Sequence, residues 1–173
     1  MNKYVLSMDA ETDGLWGKPF AIAAILYDKE TGVEVDSFLA RLDSYHVTNE
    51  WVRENVLPTL SDVLVTHATY IEMLHDFAVF YLKHKEAEVV VHMGYIVEAF
   101  LFRELHTHGF IGDWDAPFPL FDVSGNLQAV GENPCSVDVY AKKHNLSIKD
   151  YGTPHNPLYD CEVAAKVYLH LIK

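Results

Sequence analysis

The chain has 173 residues, half of them hydrophobic, and a formal net charge of −12, which suits one folded domain spanning 1–173 that buries roughly 70% of its unfolded-chain surface. The acidic balance argues against wrapping duplex DNA on a basic surface, but it is compatible with holding a few nucleotides at a strand end, because bound cations invert the local potential. The apolar stretches of about ten residues are too short to span a bilayer, no secretory pattern opens the chain, and Cys135 and Cys161 lack a CxxC spacing, so a cytoplasmic protein with reduced thiols is expected.

Residues 3–9 read as a buried strand that ends on an acid. Residues 20–28 read as a second strand, Asp28 to Gly32 as a turn, and residues 33–42 alternate as a third, which makes an antiparallel meander. Residues 48–57 look helical, with Thr48 or Asn49 as the cap and Pro58 just beyond the end. Residues 69–85 carry a core stripe at helical spacing. Val89 to Val91 form a short central strand, followed at once by a helix over about 96–108. Residues 120–122 make another short strand, and residues 136–144 a short helix that Ser136 could cap. The last helix starts near Pro157, with Asn156 as its cap. Stretches 109–119 and 147–156 are loops. Strands and helices alternating after an antiparallel start indicate an α/β fold with a mixed sheet.

The candidate chemistry is acidic. Asp9 and Glu11 stand two residues apart on a strand, so both point to one face. Carboxylates so placed repel unless a cation lies between them, and the C-terminal edge of a sheet is where α/β proteins place their sites. Asp160 falls in the first turn of the final helix, where the helix dipole favours a carboxylate. His155, five residues earlier, puts an imidazole beside that acid, able to accept a proton near neutral pH. Glu98 sits on the helix after the Val89–Val91 strand and could reach the top of the sheet.

Together these residues resemble the DEDDh family of 3′→5′ exonucleases, within the RNase H-like superfamily. The family's first motif, Asp-x-Glu-Thr followed by Gly-Leu, stands here as Asp9-Ala10-Glu11-Thr12-Asp13-Gly14-Leu15. Its last motif, a His and then an Asp opening the final helix, stands as His155-Asn156-Pro157-Leu158-Tyr159-Asp160. The resemblance covers essentially the whole chain in the expected order. The middle motif departs from the pattern. The family has His-Asn and an Asp about five residues after the His, whereas here the acid comes one residue later, as Glu98 after His92. Glu98 is taken as the fourth acid, with Asp122 as the stand-in.

The resemblance implies an RNase H-like mixed sheet, with an antiparallel N-terminal meander plus parallel strands, flanked by helices. It implies two divalent cations, Mg²⁺ or Mn²⁺, held by Asp9, Glu11, Asp160 and Glu98, with His155 as the base for the attacking water. It implies release of nucleoside 5′-monophosphates from a nucleic acid with a free 3′ end, DNA favoured over RNA. Leu15 and Trp16 are candidates to pack on a terminal base, and Lys18, Arg103, Lys142, Lys143 and Lys149 are candidate phosphate contacts. His67, His75, His84, His106 and His108 show no zinc spacing and are taken as surface residues. Two alternatives stay open: an oligoribonuclease-like enzyme that trims short RNA, and a non-catalytic nucleic-acid-binding module of the same fold. Oligomeric state stays open too, a homodimer included.

Overall fold

A computed structural model describes residues 2–173. Strands β1 (Tyr4–Thr12), β2 (Pro19–Asp28) and β3 (Glu34–Arg41) form the antiparallel meander that the N-terminal pattern predicts. Strands β4 (Glu88–Val91) and β5 (Phe121–Asp122) add in parallel, giving the order β3-β2-β1-β4-β5. Six helices accompany the sheet: α1 (Glu50–Asn55), α2 (Tyr70–Lys83), α3 (Val97–Thr107), α4 (Val123–Ala129), α5 (Val137–Lys143) and α6 (Pro157–Leu171). Among the described residues, no helix is long and apolar enough to cross a membrane.

The period of two along β1 sorts its side chains between two cores. Leu6, Met8 and Ala10 pack with α2 and α3 on one face. Val5 packs with α4, α5 and α6 on the other. Asp9 and Glu11 continue the Val5 row, so their carboxylates point to the face that carries α6.

The pairing of β1 is lopsided, and this opens the site. On one side β2 accompanies it from Tyr4 to Thr12. On the other, β4 is in register only from Val5 to Ser7. Beyond Ser7, β4 no longer pairs with β1, and Glu98 takes up the Ala10 N–H instead.

Three expectations change. The first strand does not stop at Asp9, because β2 keeps pairing as far as Thr12. The helix expected over 48–57 is shorter: α1 ends at Asn55, and Pro58, beyond it as expected, falls in the first turn of the 3-10 segment Leu57–Leu60, where its missing N–H costs nothing. Helix α4 was not anticipated. It is short, and Asp122 caps it through the Ser124 N–H. Ser136 precedes α5 as expected but makes no side-chain cap bond.

Candidate active site

Asp9 and Glu11 on β1 meet Asp160 at the start of α6. One carboxylate oxygen from each of the three lies within 4.8 Å of the others. Asp160 is held there because Asn156 caps α6, accepting from the Leu158 N–H, and Pro157 occupies the first helical turn. Glu98 approaches from the opposite face of the sheet. Its Oε1 accepts the Ala10 N–H at 3.2 Å, taking up a strand-edge donor that the early end of β4 leaves without a partner. The side chain is 3% exposed. A Cβ at Gly94 would stand 3.0 Å from Glu98 Oε2 and 2.5 Å from Val91 Cγ2, so only glycine lets this carboxylate lie against the end of β4.

No ammonium or guanidinium group pairs with any of these four acids among the described residues. Burial, then repulsion from Asp160, Glu11 and Glu98, pushes the Asp9 carboxyl well above the usual range. Burial, then Asp160 and Glu98, raises Glu11 to about 8. Burial lifts Glu98 to about 7, against the N–H groups it accepts and with Asp122 and Asp160 adding repulsion. Burial lifts Asp160 to about 7 as well, opposed by the His155 N–H. Asp9 Oδ2 is buried with no hydrogen-bond partner. Such an atom is costly unless something satisfies it. Clustered, mutually repelling carboxylates with an orphaned oxygen suit a hard divalent cation, and the all-oxygen donor set favours Mg²⁺ or Mn²⁺ over zinc.

His155 stands at the rim. Its Nδ1 lies 3.8 Å from Glu11 Oε1. Its backbone is in the left-handed region, φ 70°, a conformation that costs a non-glycine residue about 1 kcal/mol or more. Two bonds hold it there. The His155 N–H donates to Asp160 Oδ2 at 2.9 Å, and Thr59 Oγ1 donates to the His155 carbonyl at 3.0 Å. The ring of Trp51 packs edge-on against the imidazole at 6.0 Å. Neither Thr59 nor Trp51 was singled out by sequence. Each is distant from His155 along the chain, and neither belongs to a recognisable motif.

Asp122 is spoken for. Its carboxylate accepts from the Ser124 N–H and hydroxyl and from the N–H groups of Met93 and Gly94. Those donors offset burial and leave its carboxyl below the ordinary value. It shapes the loop after β4 and caps α4, whereas Glu98 stands outside the three-carboxylate group and touches β1 at the Ala10 N–H. His92 is likewise engaged, its Nε2 lying 2.9 Å from the Pro134 carbonyl oxygen.

Other predicted residues divide. Leu15 and Trp16 are exposed beside the first motif. Lys142, Lys143 and Lys149 pair with Asp138, Glu132 and Glu34. Lys18 lies over the Tyr70 ring and Arg103 over the Phe100 ring. His75, His106 and His108 are exposed, but His67 and His84 are half-buried against Asp76 and Asp36.

No protein-family model matches the sequence, and no curated protein does. Solved structures do match it over nearly its full length. The nuclease domain of 3′hExo, a DEDDh family member bound to rAMP, superposes with a TM-score of 0.72 at 13% identity, covering 99% of this chain and 92% of that one. Exonuclease X in complex with 5′ overhanging duplex DNA gives 0.61 at 16% identity, covering 97% and 90%. Cell-death related nuclease 4 gives 0.69 at 14% identity, covering 99% and 64%. The fold is that of the DEDDh exonucleases. In this fold Asp9, Glu11 and Asp160 come together beside His155, with Glu98 at the Ala10 N–H on the opposite face of the sheet.

Proposed function

We propose that the chain is a metal-dependent 3′→5′ exonuclease that hydrolyses the terminal phosphodiester of a nucleic acid and releases nucleoside 5′-monophosphates. The observation that carries this reading is the buried, partnerless Asp9 oxygen inside a cluster of carboxylates, beside a histidine held in a strained conformation. A structural cluster would satisfy that oxygen from within the protein. The DEDDh-type fold supports the same reading.

Asp9, Glu11, Asp160 and Glu98 would hold divalent cations, Mg²⁺ or Mn²⁺. When bound, the cations supply charge neutralisation at the phosphate and at the attacking and leaving oxygens. The chain's own groups do the rest. The four carboxylates shed the protons that burial and mutual repulsion make them keep near neutral pH. His155, exposed on one side, accepts the proton of the attacking water. Asp160 keeps the imidazole aimed by accepting its backbone N–H. Trp51 covers one edge of the ring and limits its swing.

Exonuclease X is solved with duplex DNA and a 3′-exonuclease with a histone mRNA stem-loop, so DNA and RNA are tested side by side. Strands labelled at the 5′ or the 3′ end are incubated with Mg²⁺ or Mn²⁺, with and without EDTA. The 3′ label is expected to leave as mononucleotide, EDTA is expected to stop it, and Asp9→Asn should lower the rate on the order of 10³-fold. Chelator-insensitive cleavage, internal cuts, or no cleavage by folded protein would overturn the reading in favour of the non-catalytic module.

A further inference from the structure

We propose that the chain forms a two-fold dimer through the 112–119 loop, each copy placing Trp114 and Phe118 against the recess that the same loop bounds on the other copy. Three observations point there: two bare rings, a recess that they line, and a local cancellation of charge.

Trp114 is 94% exposed and Phe118 101%. Neither sits on a loose segment. Ile111 is buried at the near end of the loop, and Leu120 packs on the core at the far end. Between them Asp115 is tied on three sides. Its carboxylate accepts from the Gly112 N–H at 2.8 Å and from the Lys85 ammonium at 3.0 Å, and its carbonyl accepts from the Tyr81 hydroxyl at 2.5 Å. Tyr81 belongs to the core, at 1% exposure, so the loop hangs from the interior. Scattered apolar residues on a surface need no explanation, but two aromatic rings held out in water by one anchored loop mark an interaction surface.

The rings also line a recess of about 280 Å³, together with Asn2, Lys85, Ala87 and Phe121. A cavity of about 150 Å³ already admits benzene, so this recess takes a phenyl or an indole ring. Knob and hole on one patch are what an isologous contact requires, because each copy must offer both. At about 150–250 Å² per ring, the four rings of two copies bury about 600–1,000 Å². Pro117 and Pro119, beside them on the loop, raise the total toward the roughly 1,200–2,000 Å² of a specific interface.

Charge favours a second copy over a basic partner. The chain carries −12, so most of its faces repel another copy. On this patch the acids are matched from within. Asp113 has His106 Nε2 at 2.7 Å, Asp115 has Lys85 Nζ at 3.0 Å and Glu88 has Lys29 Nζ at 2.7 Å. The patch is also remote from the acid cluster. It lies where β4 begins at Glu88 and β5 at Phe121, the end of the parallel strands opposite Asp9 and Glu11. Asp9 stands four residues, about 13 Å, along β1 from Val5, which is in register with Glu88. Two copies joined here leave both clusters uncovered.

Sedimentation equilibrium and light scattering over about 1–100 µM read the assembly directly. Wild type should form dimer increasingly across that range. Trp114→Ser/Phe118→Ser should stay monomeric, with a Tm within about 2 °C of the wild-type monomer, because both rings are already in water in the free chain. Phe118→Ala alone should raise the dissociation constant at least about tenfold, as truncating a central aromatic anchor does. Raising KCl from about 50 to 300 mM should tighten the dimer, since salt screens the repulsion between two acidic chains and the contact rests on rings rather than on ion pairs across it. A wild type that remains monomeric to the top of the range overturns the proposal. So does a dimer that persists unchanged in the double variant, or one that salt dissociates.

Discussion

Glu98 and Glu162 are both buried glutamates near the start of a helix, one on each face of the sheet, at 3% and 0% exposure. Burial raises the carboxyl of each. Their partners differ. Glu162 accepts the Tyr27 hydroxyl and the Lys149 N–H, with the Lys166 ammonium 4.0 Å away. It joins α6 to β2 and to the loop that leads toward His155, and every partner it needs is in the protein. Glu98 accepts the Ala10 N–H and its own backbone N–H and otherwise faces other acids. A buried carboxylate surrounded by donors is a structural tie; one that faces carboxylates fits the proposed cation site.

That contrast breaks most sharply by exchanging the phenotypes. Glu98→Gln keeps an acceptor for the Ala10 N–H and removes the charge, so activity should fall about 10–100-fold with little loss of stability. Glu162→Ala strands a hydroxyl and an N–H in the interior and opens a void. It should cost about 2–4 kcal/mol, lowering Tm by roughly 5–10 °C, while kcat/KM measured well below Tm stays within about twofold. Full activity in Glu98→Gln would remove Glu98 from the site. Loss of activity in a folded Glu162→Ala would show that the two acids do not divide as described.

The acid cluster also sets a pH dependence whose sign follows from the raised values. In the unfolded chain these carboxylates ionise near 4, whereas folded Glu11 holds its proton to about 8 and Glu98 and Asp160 to about 7. Between those limits the folded state binds more protons, so cation-free stability falls as pH rises from about 4 to 8 and then levels off. A divalent cation binding the ionised cluster at a hundred times its Kd restores about 2.7 kcal/mol at pH 8, or roughly 5–10 °C in Tm. Melting curves in EDTA, Mg²⁺ and Mn²⁺ across that range check it. A cation-free Tm that rises from pH 5 to 8, or that ignores added cation at pH 8, contradicts the account.

Legibility followed the reach of each interaction. Asp9 and Glu11 could be placed on one face because the strand period is local, and Asp160 because Asn156-Pro157 marks a helix start. The meander was legible for the same reason. Glu98 was legible as an acid after a strand, but its path to the cluster depends on where β4 stops pairing with β1, and no local pattern records that. Asp122, the stand-in suggested by its strand-end position, is occupied by the Met93 and Gly94 N–H groups. Helix α4, seven residues long and containing Ser124 and Gly125, has little propensity of its own and is stabilised by packing Val123 and Leu127.

The smallest effect tests the least legible contact. Thr59 and His155 are 96 residues apart, joined by one hydroxyl that is shared with the Val56 carbonyl. If that hydroxyl keeps the His155 backbone in its left-handed conformation, Thr59→Val, which preserves shape, should let the loop relax and move the imidazole off its aim. A group misplaced by a fraction of an ångström loses part of its rate and none of its grip on substrate. We therefore expect kcat to fall about three- to fivefold with KM unchanged, since a net hydrogen bond is worth about 1 kcal/mol. Thr59→Ser should restore it, because the donor returns without the methyl group. Equal loss in the Val and Ser variants would point to packing of the methyl group instead. A rise in KM with constant kcat would place Thr59 against the substrate rather than behind the histidine.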